Sequence, residues 1–530
     1  VHATRGDIVV NGEVHGGTIE FSADGGKVLL KSDIYDAAYK RSSQNNIATI
    51  GGNNVYIIAE EFDVIAGEIK VKGDVKIVTK NGVHILPVSV HKAYTHCYGK
   101  TTTSESAVRQ VISKINAGRL EIDAGKAVEI VGALINATSV NIKADEVRLL
   151  SAKEIFEKQV SFKGTKKWYG GRNSSNTYEY RETNILPIIN AKNVKIQGVT
   201  GVISEAGQMN ANDTFKIESR NGEVILKNVV DIHVTHKTSS KSVFFKCNGG
   251  KMKLFSNKVT KEGSYNHDTA PTIIHAGEKF YGYSGGKFHL LGSKIIGNRV
   301  ELVAEDDIIL QAAPSYSGHF LKVTEFGQVI GLNAKDGSYG VFGGSFISRL
   351  TGNNNATEQD KSEIFANELS LISNHGSIRQ KGTDIYAGEA YVKALNWIIE
   401  PIKNEYSSAQ EKMEIFAGLK AGIEVAWEKM FKNAKEGKKN IASGRGDGAV
   451  NGGSKIWQAW RELHKNLASG GVTAGVRATG SVEYSRSTSY DEVVRSQILN
   501  IGKLKAEVED TIRFEGVIYK GESIDVAAKK

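Results

Sequence analysis

The chain has 530 residues, of which 40% are hydrophobic, with 57 Gly against only 5 Pro. That is enough apolar material for a large core, but turns must rest on Gly, Asn and Asp. This points away from a helical protein and towards many short strands. A net charge of +9, from 68 basic and 59 acidic residues along the whole length, lacks the clustered basic face with interleaved aromatics that nucleic-acid binding demands. No run reaches the length of a membrane-spanning helix.

The chain opens Val1-His2-Ala3, which reads as a piece cut from something larger. Arg5-Gly6-Asp7 is a turn leading into Ile8-Val9-Val10. From there, short alternating runs recur at a step of about twenty residues. Val55-Tyr56-Ile57 precedes Val75-Lys76-Ile77, and Leu120-Glu121-Ile122 precedes Val140-Asn141-Ile142. Phe280 precedes Val300, Phe288 precedes Ile308, Ile378 precedes Ile398, and Leu504 precedes Ile524. Within a run, successive side chains point to opposite faces, so Val75 and Ile77, Val300 and Leu302, and Ile524 and Val526 face inward, with Lys76, Glu301 and Asp525 outside. A coil one strand thick cannot bury its own apolar face. Stacked coils give each strand neighbours above and below and a continuous aliphatic interior, the architecture of a parallel β-helix with about twenty residues per coil.

A longer register lies above the coil. Gly132, Gly292, Gly382 and Gly516 are each followed twelve residues later by Ala144, Ala304, Ala394 and Ala528. Upstream stand Gly118, Gly277 and Gly502, with Asn367 in the corresponding place of the third block. The blocks are unequally spaced, so variable inserts separate them. Ser/Thr-rich stretches such as 101–104, 238–240 and 485–489 are expected to be strands or hairpins leaving the stack. Between Trp397 and Leu467 the alternation stops. Ile415-Phe416, Leu419, Ile423, Trp427 and Met430-Phe431 recur at three- and four-residue steps, which predicts an amphipathic helix; a second follows around Trp457 and Trp460. The expected division is β-helix with hairpin inserts over 1–396, a helical hairpin over 397–470, and β-helix again over 471–530.

Candidate sites are sparse. Glu305-Asp306-Asp307 near Arg299, and Glu507, Glu509 and Asp510, fall at turns of the repeat, where acids are expected without catalysis. His91 with His96, and His233 with His236, lack a third ligand, and Cys97 and Cys247 are read as unpaired. No cofactor, metal, small-molecule substrate or enzymatic activity is expected. Arg445-Gly446-Asp447 lies in a Gly-rich loop where a receptor could reach it. Trp427, Phe431, Trp457 and Trp460 could anchor the helical pair at a membrane or partner. Lys241, Lys246, Lys251, Lys253, Lys258 and Lys261 read first as solvated strand faces, and second as an attraction for an anionic polymer.

Two stretches carry a resemblance. Gly292-Ser293-Lys294-Ile295, Val300-Glu301-Leu302-Val303-Ala304 and Asp307-Ile308-Ile309-Leu310 form one. Ser496-Gln497-Ile498, Gly502-Lys503-Leu504, Ile512-Arg513-Phe514-Glu515-Gly516 and Ile524-Asp525-Val526 form the other. They resemble the hemagglutinin repeat of filamentous hemagglutinins and of CdiA-like contact-dependent growth inhibition exoproteins; 105–152 and 362–406 fit more loosely. The resemblance implies a right-handed coil, in line with the rule for parallel crossovers. It also implies two-partner secretion through an outer-membrane transporter to the bacterial surface. The function it implies is a stalk and delivery segment for a C-terminal effector at a target cell. An adhesin and a polysaccharide lyase or hydrolase are the alternatives.

Overall fold

The computed structural model describes residues 1–34, 47–166, 173–248, 251–335, 338–422 and 477–528. Among these residues every regular element is a strand, in two sheets: 23 strands with parallel pairings that close around an axis, and ten with antiparallel pairings.

The parallel sheet is the coil stack. Val55 pairs with Val75, Leu120 with Val140, Phe280 with Val300, Phe288 with Ile308 and Leu504 with Ile524. The sixth expected pair slips by one: Ile378 lies opposite Trp397, not Ile398. Because the side-chain period is two, that slip buries Trp397 and Ile399 and turns Ile398 outward. Inside, Val75, Ile77, Val300 and Leu302 are fully buried, and Phe215 stacks on Phe280 with ring centroids 5.7 Å apart. Each such aliphatic contributes about 1.5–3 kcal/mol, but only because a rung lies on either side of it. Ile524 shows the contrast. It is 53% exposed, since no described rung covers its far side.

One corner of the coil organises the rest. Ala66, Gly132, Ala206, Gly292, Gly382 and Gly516 all have positive φ, between 49° and 79°. All six stand in one column, two residues before the aligned Glu68, Leu134, Gln208, Lys294 and Asp384, and before Ile518. These are tight corners, where the left-handed backbone turns the chain directly into the next coil. Gly292 leaves no room for anything larger, since an added Cβ would lie 2.4 Å from that of Ala313. Sequence spacing revealed four of these corners and missed Ala66 and Ala206, where alanine accepts the unfavourable conformation.

At the same corner of every intervening coil the chain leaves the stack as a long hairpin. The first hairpin is Val88–Tyr98 with Thr101–Val111, the second Ala152–Lys163 with Ser174–Ile185, and the third Val229–Asn248 with Lys251–Ala270. The fourth is Ala313–Lys335 with Ser338–Asp360, and the fifth joins Ile402–Gly422 to Arg477–Arg495. Tight and open corners thus alternate strictly from Ala66 to Gly516. Buried hydroxyls line the corner and satisfy its carbonyls. Ser113 Oγ donates to Val64 O and Leu86 O, Thr272 Oγ1 to Lys227 O, Ser293 Oγ to Leu291 O, and Ser362 Oγ to Gln311 O, at 2.7–3.1 Å.

The alternation has a geometric cause. Two coils rise by two strand spacings, roughly 9.6 Å, and a hairpin is two strands wide, also roughly 9.6 Å. One hairpin per two coils therefore lets neighbouring hairpins pair edge to edge without strain. They do so in order: Thr101–Val111 with Ala152–Lys163, Ser174–Ile185 with Val229–Asn248, Lys251–Ala270 with Ala313–Lys335, and Ser338–Asp360 with Ile402–Gly422. The Ser/Thr-rich stretches lie in this sheet, as expected. Most of its residues are half-buried without inside–outside alternation, as in Thr101–Val111 and Ala152–Lys163.

The expected helix is not formed where the structure can be read. Ile402–Gly422, including Ile415 and Phe416, is a strand paired on both sides, and no helix occurs among the described residues. The remainder of the expected helical pair, 423–470, lies outside the described residues. Adjacent apolar residues such as Ile415 and Phe416 suit a sheet whose two faces are both wet, because they point to opposite sides.

Candidate functional site

A cluster of ionisable side chains drawn from three coils sits on the outer face of the early stack. Glu61 and Asp63 lie on Thr49–Ile65, Lys27 on the preceding Glu13–Lys31, and His84 on the following Gly82–Leu86. Register places Lys27 opposite Glu61, and Asp63 opposite His84. His84 Nδ1 lies 2.8 Å from Asp63 Oδ1, and Lys27 Nζ stands 3.5 Å from Asp63 Oδ2 and 3.8 Å from Glu61 Oε1. Burial alone would raise the Asp63 carboxyl, but the hydrogen bond and charge of His84, with Lys27, outweigh it and hold it below the ordinary 3.8. The hydrogen bond to Asp63 outweighs burial on His84 and lifts the imidazole above its ordinary 6.5. Glu61, Asp63 and His84 bring three ligand atoms within 4.8 Å of one another. Lys27 already supplies a positive charge there, so the group reads as an ion-pair cluster clamping three coils. Sequence reasoning missed it. The signal was the step of one coil from Asp63 to His84.

The sign of its pH dependence follows. His84, with a raised pKa, stabilises fully below about 6.5, and this is lost as pH rises through its folded value; Asp63, with a lowered pKa, stabilises above about 3.8 and loses this on acidification. His84→Gln is expected to cost about 1 kcal/mol at pH 5.5 and clearly less at pH 9, measured by urea unfolding at the two pH values.

The sequence-derived candidates are distributed as follows. Arg5-Gly6-Asp7 is a turn, with Gly6 at φ 96° and Asp7 Oδ1 accepting from Lys27 N at 2.9 Å. Glu305 accepts from Tyr283 and Asn374, and Asp307 from the Ser377 amide, while Arg299 pairs with Glu368 rather than with these acids. Glu507 accepts from Tyr391 at 3.2 Å. His91 and His96, five apart on one strand, and His233 and His236, three apart on another, point to opposite faces. Cys97 is free and exposed. Arg445, Gly446, Asp447, Trp427, Phe431, Trp457 and Trp460 all lie outside the described residues.

The two-coil unit with its flanking hairpin strands is therefore the largest recurring feature. Comparison with known proteins falls on one such unit. Residues 343–459 match the family model of the hemagglutinin repeat. The matched range takes in most of Ser338–Asp360, the coils from Ser362 to Glu400, and Ile402–Gly422. No curated protein and no solved structure matches the chain. The hemagglutinin repeat supports a filamentous-hemagglutinin-like chain, of a kind typically secreted or associated with the cell surface. It covers the more loosely fitting block at 362–406, while the stretches at 292–310 and 496–526 lie outside it.

Two shallow depressions adjoin the hemagglutinin repeat. One, of 460 Å³, lies on the antiparallel sheet between Tyr265, His319, Asn354, Tyr406 and Asp491. The other, of 650 Å³, follows the outer bend of the stack, where Phe365 and Tyr386 stack 4.7 Å apart beside His275, Asn367 and Asn500. Both offer amides, hydroxyls and ring edges, groups suited to holding a polar surface by hydrogen bonds.

Proposed function

We propose that this segment is a structural stalk of a two-partner-secreted, CdiA-like contact-dependent toxin exoprotein, with right-handed coils, which presents or helps to translocate an effector at a target cell. The observation that carries this reading is the commensurate repeat: reach grows by a fixed rise for every two coils, independently of the chemistry of any side chain. In this reading the segment is not an enzyme and takes no cofactor. Its partners are the outer-membrane transporter during export and the target-cell surface afterwards. A surface adhesin of filamentous-hemagglutinin type is the second reading, favoured by the hemagglutinin-repeat match and by the broad hairpin sheet that the stack displays. The test is a producing strain lacking residues 274–363, compared with the intact strain for attachment to, and growth inhibition of, neighbouring cells. Delivery predicts inhibition weakened with attachment kept. An adhesin predicts no inhibition from either strain and weaker attachment.

A further inference from the structure

The ten-stranded sheet has two faces of different character towards its far end. Asn257, Phe326, Ile347, Ile415 and Val482 are directly paired across five strands, so they form one row on one face. Two residues along each strand, on the same face, come Val259, Thr324, Arg349, Met413 and Tyr484; two further come Lys261, Lys322, Thr351, Glu411 and Arg486. Phe326 is 45% exposed, Ile347 46%, Val482 73% and Tyr484 55%. Beside this apolar row stand four cations, Lys261, Lys322, Arg349 and Arg486, against the single acid Glu411. Lys261 directly faces Lys322, a pairing that costs stability unless an anion lies over it. Glu411 directly faces Arg486 and offsets that charge, while Lys261, Lys322 and Arg349 have no ion pair among the described residues. The opposite face is balanced, with Lys253 bonded to Glu325 and Lys412 to Glu414.

From this asymmetry we propose that the far end of the sheet docks on an anionic lipid surface, with the apolar row at the headgroup boundary and the cationic row on the phosphates. A second copy is a poor occupant, because two cationic faces repel. The chain between Gly422 and Arg477 is a poor one for the same reason, having 9 Lys and Arg against 5 Asp and Glu. The proposal goes beyond the stalk reading, which concerns reach and stands whether or not the sheet meets lipid.

The full chain is tested by co-sedimentation with phosphatidylcholine vesicles with and without phosphatidylglycerol, at low and high salt. Binding is expected only to the anionic vesicles and is weakened by salt. Lys261→Ala with Lys322→Ala should reduce partitioning about thirtyfold, and Phe326→Ser with Val482→Ser should reduce it at least about tenfold. Lys261→Ala with Lys322→Ala is a surface change and keeps the wild-type circular dichroism and melting profile. Phe326 also meets the Phe255 ring, so Phe326→Ser with Val482→Ser keeps the β spectrum but melts lower. Each leaves 423–476 intact, so the loss reports on the sheet face. Equal binding to neutral vesicles, full binding by either variant pair, self-association through this face, or binding to soluble polyphosphate without binding to vesicles would each overturn the proposal.

Discussion

A chain lacking residues 274–363 is expected to fold, melt cooperatively and keep its β spectrum, whereas one lacking only 274–294 is expected to lose the middle of its antiparallel sheet. The larger deletion joins Ile273 to Ile364. Register allows this, because Ile273, Lys294 and Glu363 occupy one column. It removes two coils and the fourth hairpin together, so Lys251–Ala270 meets Ile402–Gly422 with two coils still between successive hairpins. The smaller deletion joins Ile273 to Ile295 and leaves one coil between the third and fourth hairpins. The stack then rises by roughly 4.8 Å where the sheet needs roughly 9.6 Å. Sixteen paired positions between Lys251–Ala270 and Ala313–Lys335 are put at risk. At about 1 kcal/mol per hydrogen bond, that is a loss on the order of 10 kcal/mol. Hydrogen exchange along 251–270 separates the outcomes: protection kept in the large deletion and lost in the small one.

The second large effect is expected where two hairpins return to the stack. Lys361 follows the fourth hairpin and Ser496 the fifth. Lys361 Nζ donates to Asp384 Oδ1 at 2.9 Å and to Ser496 O at 2.8 Å, and Asp384 Oδ1 also accepts from the Ile498 amide at 2.8 Å. The two side chains are only 18% and 9% exposed. Asp384→Ala strands a shielded cation and an unpaired amide, with an expected cost of about 3–5 kcal/mol. Lys361→Met combined with Asp384→Asn removes both charges and keeps an acceptor for Ile498, so two changes should cost about 2 kcal/mol less than the one. Urea titrations of the single and double variants measure the difference.

What the sequence disclosed follows from where burial is one-sided. In the coil stack each strand has a dry and a wet face, so Val75-Lys76-Ile77 and Val300-Glu301-Leu302 announce both strand and direction. Step-counting gave five registers correctly and failed at Ile378, because that coil is a residue shorter and Trp397 takes the inward place. Apart from a small buried cluster around Phe245 and Met252, the hairpins have no dry face, so their pattern is weak. Ile415 and Phe416 imitated a helical stripe while lying on opposite sides of a sheet. The outer ion cluster was hidden for another reason. Lys27, Asp63 and His84 are distant in sequence and meet only when coils are stacked, so their proximity is a property of register. Alanine at 66 and 206 concealed two of six tight corners, and with them the alternation that explains the hairpins.

The stacking itself can be measured directly. Lys76, Lys195, Lys216 and Lys505 lie in one outward column, with Lys505 five coils from Lys216, six from Lys195 and nine from Lys76. Nitroxide pairs at these sites, with Cys97 and Cys247 replaced by serine, are read by pulsed electron paramagnetic resonance. Distances of about 24, 29 and 43 Å are expected, a linear increase of about 4.8 Å per coil. Distances that do not grow with coil number would contradict the stack.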